Sequence, residues 1–263
     1  MTNYKIIFLD IDGTILQEDH TIEQSTKEAI KQLQAQELEV FLATGRPLHE
    51  VYDIAKELNV HSFIGYNGAY AVYKDKVILN EPMPSETIEH YLQVAKKHQH
   101  EMVLYTKDKN TFTSMDTPAV KQFIEYFDLK ENKLYTNDNK DEILGITVMN
   151  VKEDEPLLYD IPEENIYFSQ VNVKGLEHSY DVIRENVNKG RAIKTVLDLL
   201  QFPQKSAIAF GDGMNDKQML QYVGESFAMG NGHPDLFQYA KHRTTSVTDS
   251  GIFNGLKSLG LVK

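Results

Sequence analysis

With 263 residues the chain is long enough for one or two domains of roughly 150 residues each, and a 41% apolar composition is that of a globular protein rather than a disordered one. Asp and Glu outnumber Lys and Arg by 39 to 27, for a formal charge of −12, which argues against nucleic acid or an acidic membrane as partner, since both select a net basic face. The absence of Cys excludes a disulfide framework, a thiolate zinc site and a cysteine nucleophile.

The first predicted element is a strand, KIIFLD, whose apolar run Ile6 to Leu9 passes straight into Asp10-Ile11-Asp12-Gly13-Thr14. A period of two puts Asp10 and Asp12 on one face of that strand's end, where two like charges need an offsetting partner. In TIEQSTKEAIKQLQAQ, Ile22, Ala29, Ile30 and Leu33 share one helical face, and the next strand, EVFLATG, ends in Ala43-Thr44-Gly45-Arg46. PLHEVYDIAKELNV reads as one helix with Pro47 near its start and Leu48, Val51, Ile54, Ala55 and Leu58 on its inner face, and SFIGYNG is a strand ending in Tyr66-Asn67-Gly68.

The middle of the chain changes character. TIEHYLQVAKKHQ and TPAVKQFIEYFDL are amphipathic helices, the second with Thr117 as N-cap and Pro118 at its first position. EMVLYTKD, NTFTSM, EILGITVMN and NIYFSQVNVKG alternate, as antiparallel strands with one packed and one wet face do. Beyond them, GRAIKTVLDLL returns to a helical period through Ala192, Ile193, Val196, Leu197 and Leu200, followed by the buried-looking strands SAIAFGDG and ESFAMGNG.

Near-continuous apolar strands alternating with helices predict an α/β fold, an open, doubly wound parallel sheet with right-handed crossovers. The middle predicts an inserted α+β domain at 83–186, leaving a discontinuous first domain of 1–82 and 187–263. No apolar run approaches the roughly 18 residues of a membrane helix, and no basic n-region with an apolar h-region precedes the first strand, so a soluble, cytoplasmic protein without a membrane partner is expected. Monomer and dimer are equally compatible with these patterns.

In an open α/β sheet, ligands bind beyond the carboxyl ends of the strands. Here those ends carry Asp10 and Asp12, Thr44 to Arg46, Asn67-Gly68, Gly211-Asp212-Gly213-Met214-Asn215-Asp216, and Gly230-Asn231-Gly232. Asp10, Asp12 and Asp212 form a hard oxygen set suited to Mg²⁺. Thr44, the Gly45 amide, Asn215 and Lys189, which opens the GRAIKTVLDLL helix, are candidates to hold phosphoryl oxygens near a helix N-terminus.

Each feature alone has a plainer reading. Asp-Gly can merely end a strand, and a calcium loop would want Asp or Asn where Thr14 stands. Thr-Gly strand ends are common and most lysines are solvated. Asn67-Gly68 reads as a turn or a substrate contact, and Arg46 as a substrate contact or the partner of a surface acid. The nine His form no ligand spacing and read as mostly surface, with His233 in a loop or helix start.

Taken together, DIDGT, Thr44 in ATGR, Lys189 in NKG and GDGMND resemble, in order and spacing, the four motifs of the haloacid dehalogenase superfamily. YNGA, GDGMND, AMGNG and DSGIFNGL further resemble its Cof-like phosphatases. The gap from Thr14 to Thr44 holds only one helix and one strand, so the insertion after Arg46 resembles the family's type-two α+β cap, on a Rossmann-like core.

The resemblance implies a Mg²⁺-dependent phosphatase of small phosphorylated metabolites, with sugar phosphates first and pyridoxal phosphate, flavin mononucleotide and nucleotides also open. It implies Asp10 as nucleophile forming an aspartyl-phosphate and Asp12 as general acid-base. Asp10, Asp12 (through its backbone carbonyl), Asp212 and Asp216 are the implied metal set, with Asp216 acting directly or by orienting Lys189 or a metal-bound water. Ile11, Thr44, Gly45, Arg46, Lys189 and Asn215 are the implied phosphate and substrate contacts. A phosphomutase, or a binding protein without turnover, are the alternatives.

Overall fold

The computed structural model describes residues 4–162, 164–171 and 173–263. In chain order the elements are β1 (Ile6–Leu9), α1 (Gln24–Ala35), β2 (Glu39–Ala43), α2 (Tyr52–Leu58), β3 (Phe63–Gly65), β4 (Tyr70–Tyr73), β5 (Lys76–Asn80), α3 (Ser85–His98), β6 (Glu101–Tyr105) and β7 (Asn110–Phe112). There follow α4 (Pro118–Phe127), β8 (Asn132–Leu134), β9 (Gly145–Met149), β10 (Ile166–Gln170), β11 (Tyr180–Arg184), α5 (Lys189–Leu200), β12 (Ala207–Gly211), α6 (Lys217–Tyr222), β13 (Glu225–Ala228), β14 (His242–Arg243) and α7 (Gly251–Ser258). The chain divides into two compact units, one of Met1–Arg46, Tyr52–Leu79 and Asn188–Lys263, the other of Pro47–Val51 and Asn80–Val187.

The first unit is built on an eight-stranded sheet of order β14-β13-β12-β1-β2-β3-β4-β5. From β14 to β3 the strands run parallel, Ile6 standing opposite Ala207 on one side and Glu39 on the other. All four residues of β1 are fully buried, as a central strand covered on both faces requires. Alternation splits them: Ile6 and Phe8 pack with Ile193, Val196 and Leu197 of α5 and Met219 and Leu220 of α6. On the opposite face α7 lies so close that a side chain at Gly255 would meet the Phe210 ring. The predicted inner faces of α1 and α5 are buried at Ala29, Ile30 and Leu33 and at Ala192, Ile193, Val196 and Leu197.

The sheet departs from the prediction at its β5 edge. β4 pairs antiparallel with β3, and the β4–β5 hairpin turns on Lys74 and Asp75, both at positive φ (48° and 64°). That is the sign a two-residue hairpin needs, but Lys-Asp lacks the Asn-Gly signature that would have marked it. The helix predicted from Pro47 is also broken. Leu48–Glu50 forms a single 3₁₀ turn, ended by Val51 at φ −115°, ψ 0°, before α2 begins. Residues 47–51 group with the second unit, where the His49 ring bonds Asn110 Oδ1 at 2.9 Å and Glu50 accepts from Asn110 Nδ2 at 2.7 Å.

The second unit carries a six-stranded sheet of order β10-β11-β9-β6-β7-β8. Its pairs are antiparallel except β7 with β8. The expectation of one wet face does not hold at its centre. Met102 and Leu104 of β6 pack under Ile88, Tyr91 and Ala95 of α3, while Val103, between them, packs with Val120 and Phe123 of α4. Two helices thus take opposite faces. Thr117 occupies the cap position of α4, yet its hydroxyl makes no cap bond and is buried without a partner. The strand predicted over NIYFSQVNVKG stops at Gln170; Asn172, within that stretch, lies outside the described residues.

Two histidines expected at the surface have buried side chains, His49 and His100. His100 Nε2 lies 3.1 Å from a Glu155 carboxylate oxygen and Nδ1 2.8 Å from the Tyr159 hydroxyl. A carboxylate only accepts, so Nε2 donates to Glu155, and the Tyr159 hydroxyl is able to donate to Nδ1 of a neutral ring. Burial is the largest effect and pulls the His100 pKa down, against the opposing pull of Glu155. A folded pKa below the unfolded one means that the unfolded chain binds more protons, so the contribution of His100 is present above about pH 6.5 and is lost as pH falls below it. Chemical denaturation from about pH 7 to about pH 5 should show a fall in stability that is smaller in His100→Gln than in the parent.

Candidate active site

Four segments of the first unit meet at the carboxyl edge of its sheet. The Asp10 N–H still donates to Phe210 O (3.1 Å), so strand pairing carries this residue into position. Lys189, the first residue of α5, is fully buried, and its Nζ donates to Asp10 Oδ1 at 2.6 Å and Asp216 Oδ1 at 2.7 Å. Asn188 caps that helix, its Oδ1 accepting from Arg191 N at 2.9 Å. The second oxygen of Asp216 takes the N–H groups of Asp212 (3.0 Å) and Gly213 (3.1 Å) and so shapes the turn after β12.

Asp212 accepts from the Thr14 hydroxyl at 3.3 Å and lies against Gly13, whose φ is +75° and whose hypothetical Cβ would stand 2.3 Å from Asp212 Oδ2. Both the left-handed backbone and the close approach require glycine there.

Electrostatics follow from this crowding. Asp10, Asp212 and Asp216 each offer a carboxylate oxygen, all within 4.8 Å of one another, an arrangement able to hold a metal ion. Burial first, and then Asp216, push the Asp10 carboxyl well above its ordinary range, with Lys189 pulling the other way. Asp212 is pushed up to about 6, again by burial and then by Asp216. Burial draws the Lys189 ammonium down, but Asp10 and Asp216 more than offset this and its pKa is raised. Three carboxylates against one ammonium leave an excess of negative charge, and oxygen ligands in excess of protein cations fit Mg²⁺.

Asp12 does not share the Asp10 environment. β1 ends at Leu9, and the Ile11 carbonyl gathers the N–H groups of Thr14, Ile15 and Leu16, so the chain turns and strand alternation stops. Asp12 is exposed and meets Arg46 in a two-pronged pair, Nε to Oδ2 at 2.8 Å and Nη2 to Oδ1 at 2.5 Å. The Arg46 guanidinium thus has an acid, Asp12, as a partner. The side chain of Ile11 is fully buried, so only its backbone can face a polar ligand. Thr44 is buried, with its N–H on Ile64 O (2.8 Å) and its Oγ1 accepting from Arg46 N (3.0 Å) across Gly45. Asn215 is exposed and donates from Nδ2 to Asn67 Oδ1 at 3.1 Å.

Asn231 has a function in this geometry that its sequence context does not announce. Its Nδ2 donates to Gly13 O (2.8 Å) and its Oδ1 accepts from Val247 N (2.8 Å), tying the loop after β13 to the Asp10 loop. Its signals in the sequence were its place at a strand's carboxyl end and within AMGNG. His233 caps a short 3₁₀ turn, Nδ1 accepting from Asp235 N at 3.2 Å, and is exposed.

Known proteins share this arrangement of chain. Over 262 residues the sequence is 37% identical to the protein named "Putative phosphatase YkrA" of Bacillus subtilis strain 168, covering 98% of this chain and 99% of that one. A solved structure of a hypothetical protein from Geobacillus kaustophilus HTA426 superposes with a TM-score of 0.90 at 30% identity, over 98% of this chain and 100% of that one. The HAD subclass IIB sugar phosphatase BT4131 shares the fold, with a TM-score of 0.83 at 24% identity over 98% of this chain and 100% of its own. Among the described residues no helix is long and apolar enough to cross a membrane. The family profile for haloacid dehalogenase-like hydrolases matches residues 7–256, from β1 into α7, and the chain belongs to that family.

Proposed function

We propose that the protein is a Mg²⁺-dependent phosphatase of small phosphorylated metabolites that works through an aspartyl-phosphate. The observation that carries this reading is the buried Lys189 ammonium bonded to Asp10 and Asp216 beside Asp212. A nucleophilic carboxylate, a fixed cation and surplus oxygen ligands at one point are what phosphoryl transfer needs, because its transition state asks for positioning and charge neutralisation. The ligands would be Asp10, Asp212 and the Asp12 backbone carbonyl, with Asp216 acting directly or by orienting Lys189 or a metal-bound water. When bound, Mg²⁺ supplies positive charge that lets Asp10 stay ionised next to a phosphate ester.

In this mechanism Asp10 attacks phosphorus in line, the ester P–O bond breaks, and Asp12 gives its proton to the leaving alkoxide. Asp12 then takes a proton from the water that opens the aspartyl-phosphate and frees inorganic phosphate. Lys189, Thr44, the Gly45 and Ile11 backbone and Asn215 hold phosphoryl oxygens. Arg46, engaged with both oxygens of Asp12, holds the acid-base group, which gives up one of those bonds to reach the leaving oxygen. Residues 83–186 form the cap that selects the leaving group. Sugar phosphates stand first, on the motif resemblance and the fold shared with BT4131. Asp216 and Lys189 bring no proton to the substrate in this scheme; Asp216 holds Lys189, which fixes Asp10 and offers its charge to a phosphoryl oxygen.

The decisive experiment is a phosphate-release screen across sugar phosphates, nucleotides, pyridoxal phosphate and flavin mononucleotide, with Mg²⁺ and with EDTA. Release is expected only with Mg²⁺ and highest for a sugar phosphate; no release from any ester would overturn the reading. Asp10→Asn is expected to abolish turnover while substrate still binds. Asp12→Asn should lose about 10²–10⁴-fold in kcat. Arg46→Ala should lose less than Asp12→Asn, since it misplaces the carboxyl without removing it; an equal or larger loss would mean that Arg46 contacts substrate itself.

A further inference from the structure

The turn that follows β3 has no part in the chemistry above, yet it touches three of the segments that do. Tyr66 and Asn67 both have φ of 54°, and Gly68 has φ of 107°. Three successive residues on the left-handed side are unusual, and they curl the backbone back against the site. The Tyr66 N–H donates to Arg46 O at 3.3 Å and the Asn67 N–H to Thr44 O at 3.1 Å, so the turn braces the residues after β2 from both sides of Gly45. Gly68 lies under Asn188: a Cβ there would stand 2.4 Å from the Asn188 carbonyl oxygen, immediately before Lys189.

The Asn67 side chain completes the bracket. It lies over Gly45, where a Cβ would come within 3.0 Å of Asn67 Oδ1, and that oxygen accepts from Asn215 Nδ2 at 3.1 Å. An amide nitrogen has two N–H groups, so this bond uses one and leaves the second available. Asn215 is exposed on a short turn and its side chain makes no other hydrogen bond among the described residues; its Oδ1 lies against Gly213, 2.5 Å from where a Cβ would be.

We propose that Asn67 is a positioning residue for phosphoryl binding: by accepting from Asn215 it fixes that amide so that the second N–H is held for a phosphoryl oxygen beside Thr44. This rests on the phosphatase reading and on Asn215 as a phosphate contact, and it gives the Asn67 side chain a role distinct from that of the turn. Asn at 67 serves both needs, since it tolerates the left-handed backbone and supplies the acceptor.

The two roles separate in Asn67→Gly, which keeps the turn and removes the amide. Affinity for inorganic phosphate with Mg²⁺, read by calorimetry, is expected to fall roughly tenfold, and KM for p-nitrophenyl phosphate to rise alike with kcat changed less. The melting temperature should stay within about 4 °C of the parent. In the Asn215→Ala background, Asn67→Gly should cost nothing further, which completes a double-mutant cycle. Unchanged phosphate affinity in Asn67→Gly, or an undiminished loss in the Asn215→Ala background, overturns the proposal. If Asn67→Gly does not melt cooperatively, Asn67→Ser, too short to reach Asn215, takes its place in the same cycle. A parent protein that binds phosphate but hydrolyses no ester overturns the phosphatase reading alone, and the calorimetric cycle still judges Asn67; a parent that binds no phosphate overturns both.

Discussion

An ammonium group withdrawn wholly from water is the constraint on which the catalytic edge depends. Burying a lysine costs several kcal/mol even after relaxation, and the Lys189 charge is offset only because two carboxylates stand 2.6 and 2.7 Å away. Those carboxylates are themselves buried, Asp216 completely, so each of the three groups makes the others tolerable. The pairing therefore fixes the end of β1, the first residue of α5 and the turn after β12 relative to one another. A small displacement of any of them would leave a charge unpaired in a low-dielectric interior. Asp216 extends the constraint, because its other oxygen is taken by two backbone N–H groups next to Asp212.

The arrangement is balanced in position but not in charge. Lys189 neutralises one unit, and Asp212 is left at the margin, its carboxyl pushed up to about 6 by burial and by Asp216. Hydrogen bonds hold the oxygens where the fold wants them, and the residual negative potential is what a divalent cation answers. Asp12, outside this cluster and half-exposed, meets a cation of its own in Arg46. The two carboxylates of DIDGT thus sit in different environments, one dry and crowded, the other exposed and paired with an arginine. Pairs of acids in separate surroundings are the usual way one site obtains two roles.

What could be read from the sequence was whatever is local. Buried strands, the inner faces of α1 and α5, and the polar residues at strand ends follow from period and from chain order. Lys189 was legible because it opens a helix where the chain re-enters the core. The partner of Arg46 lies 34 positions away and that of Asn231 lies 218 positions away, and no local pattern encodes such pairings. The hairpin of β4 and β5 was missed because Lys74-Asp75 adopts positive φ without the residues that advertise it. The inserted sheet looked half-wet because alternation cannot tell water from a second helix, and α4 covers the face left over by α3. Even the expectation that Asp10 and Asp12 share a face failed for a physical reason: the period of two ends where the strand does.

The strand order also sets a schedule for synthesis. β1 lies between β2, made soon after it, and β12, made about two hundred residues later. On a ribosome, β1 keeps one bare edge until Ala207–Gly211 emerge, while the second unit, built from Pro47–Val51 and Asn80–Val187, is already made. Non-local pairing of this kind is slow to form and leaves apolar edges open to other chains in the interim. The carboxylates of the site are consequently brought together last, by the segment that carries Lys189 and Asp216. A nascent chain halted before that segment holds Asp10 without the cation that makes its burial tolerable.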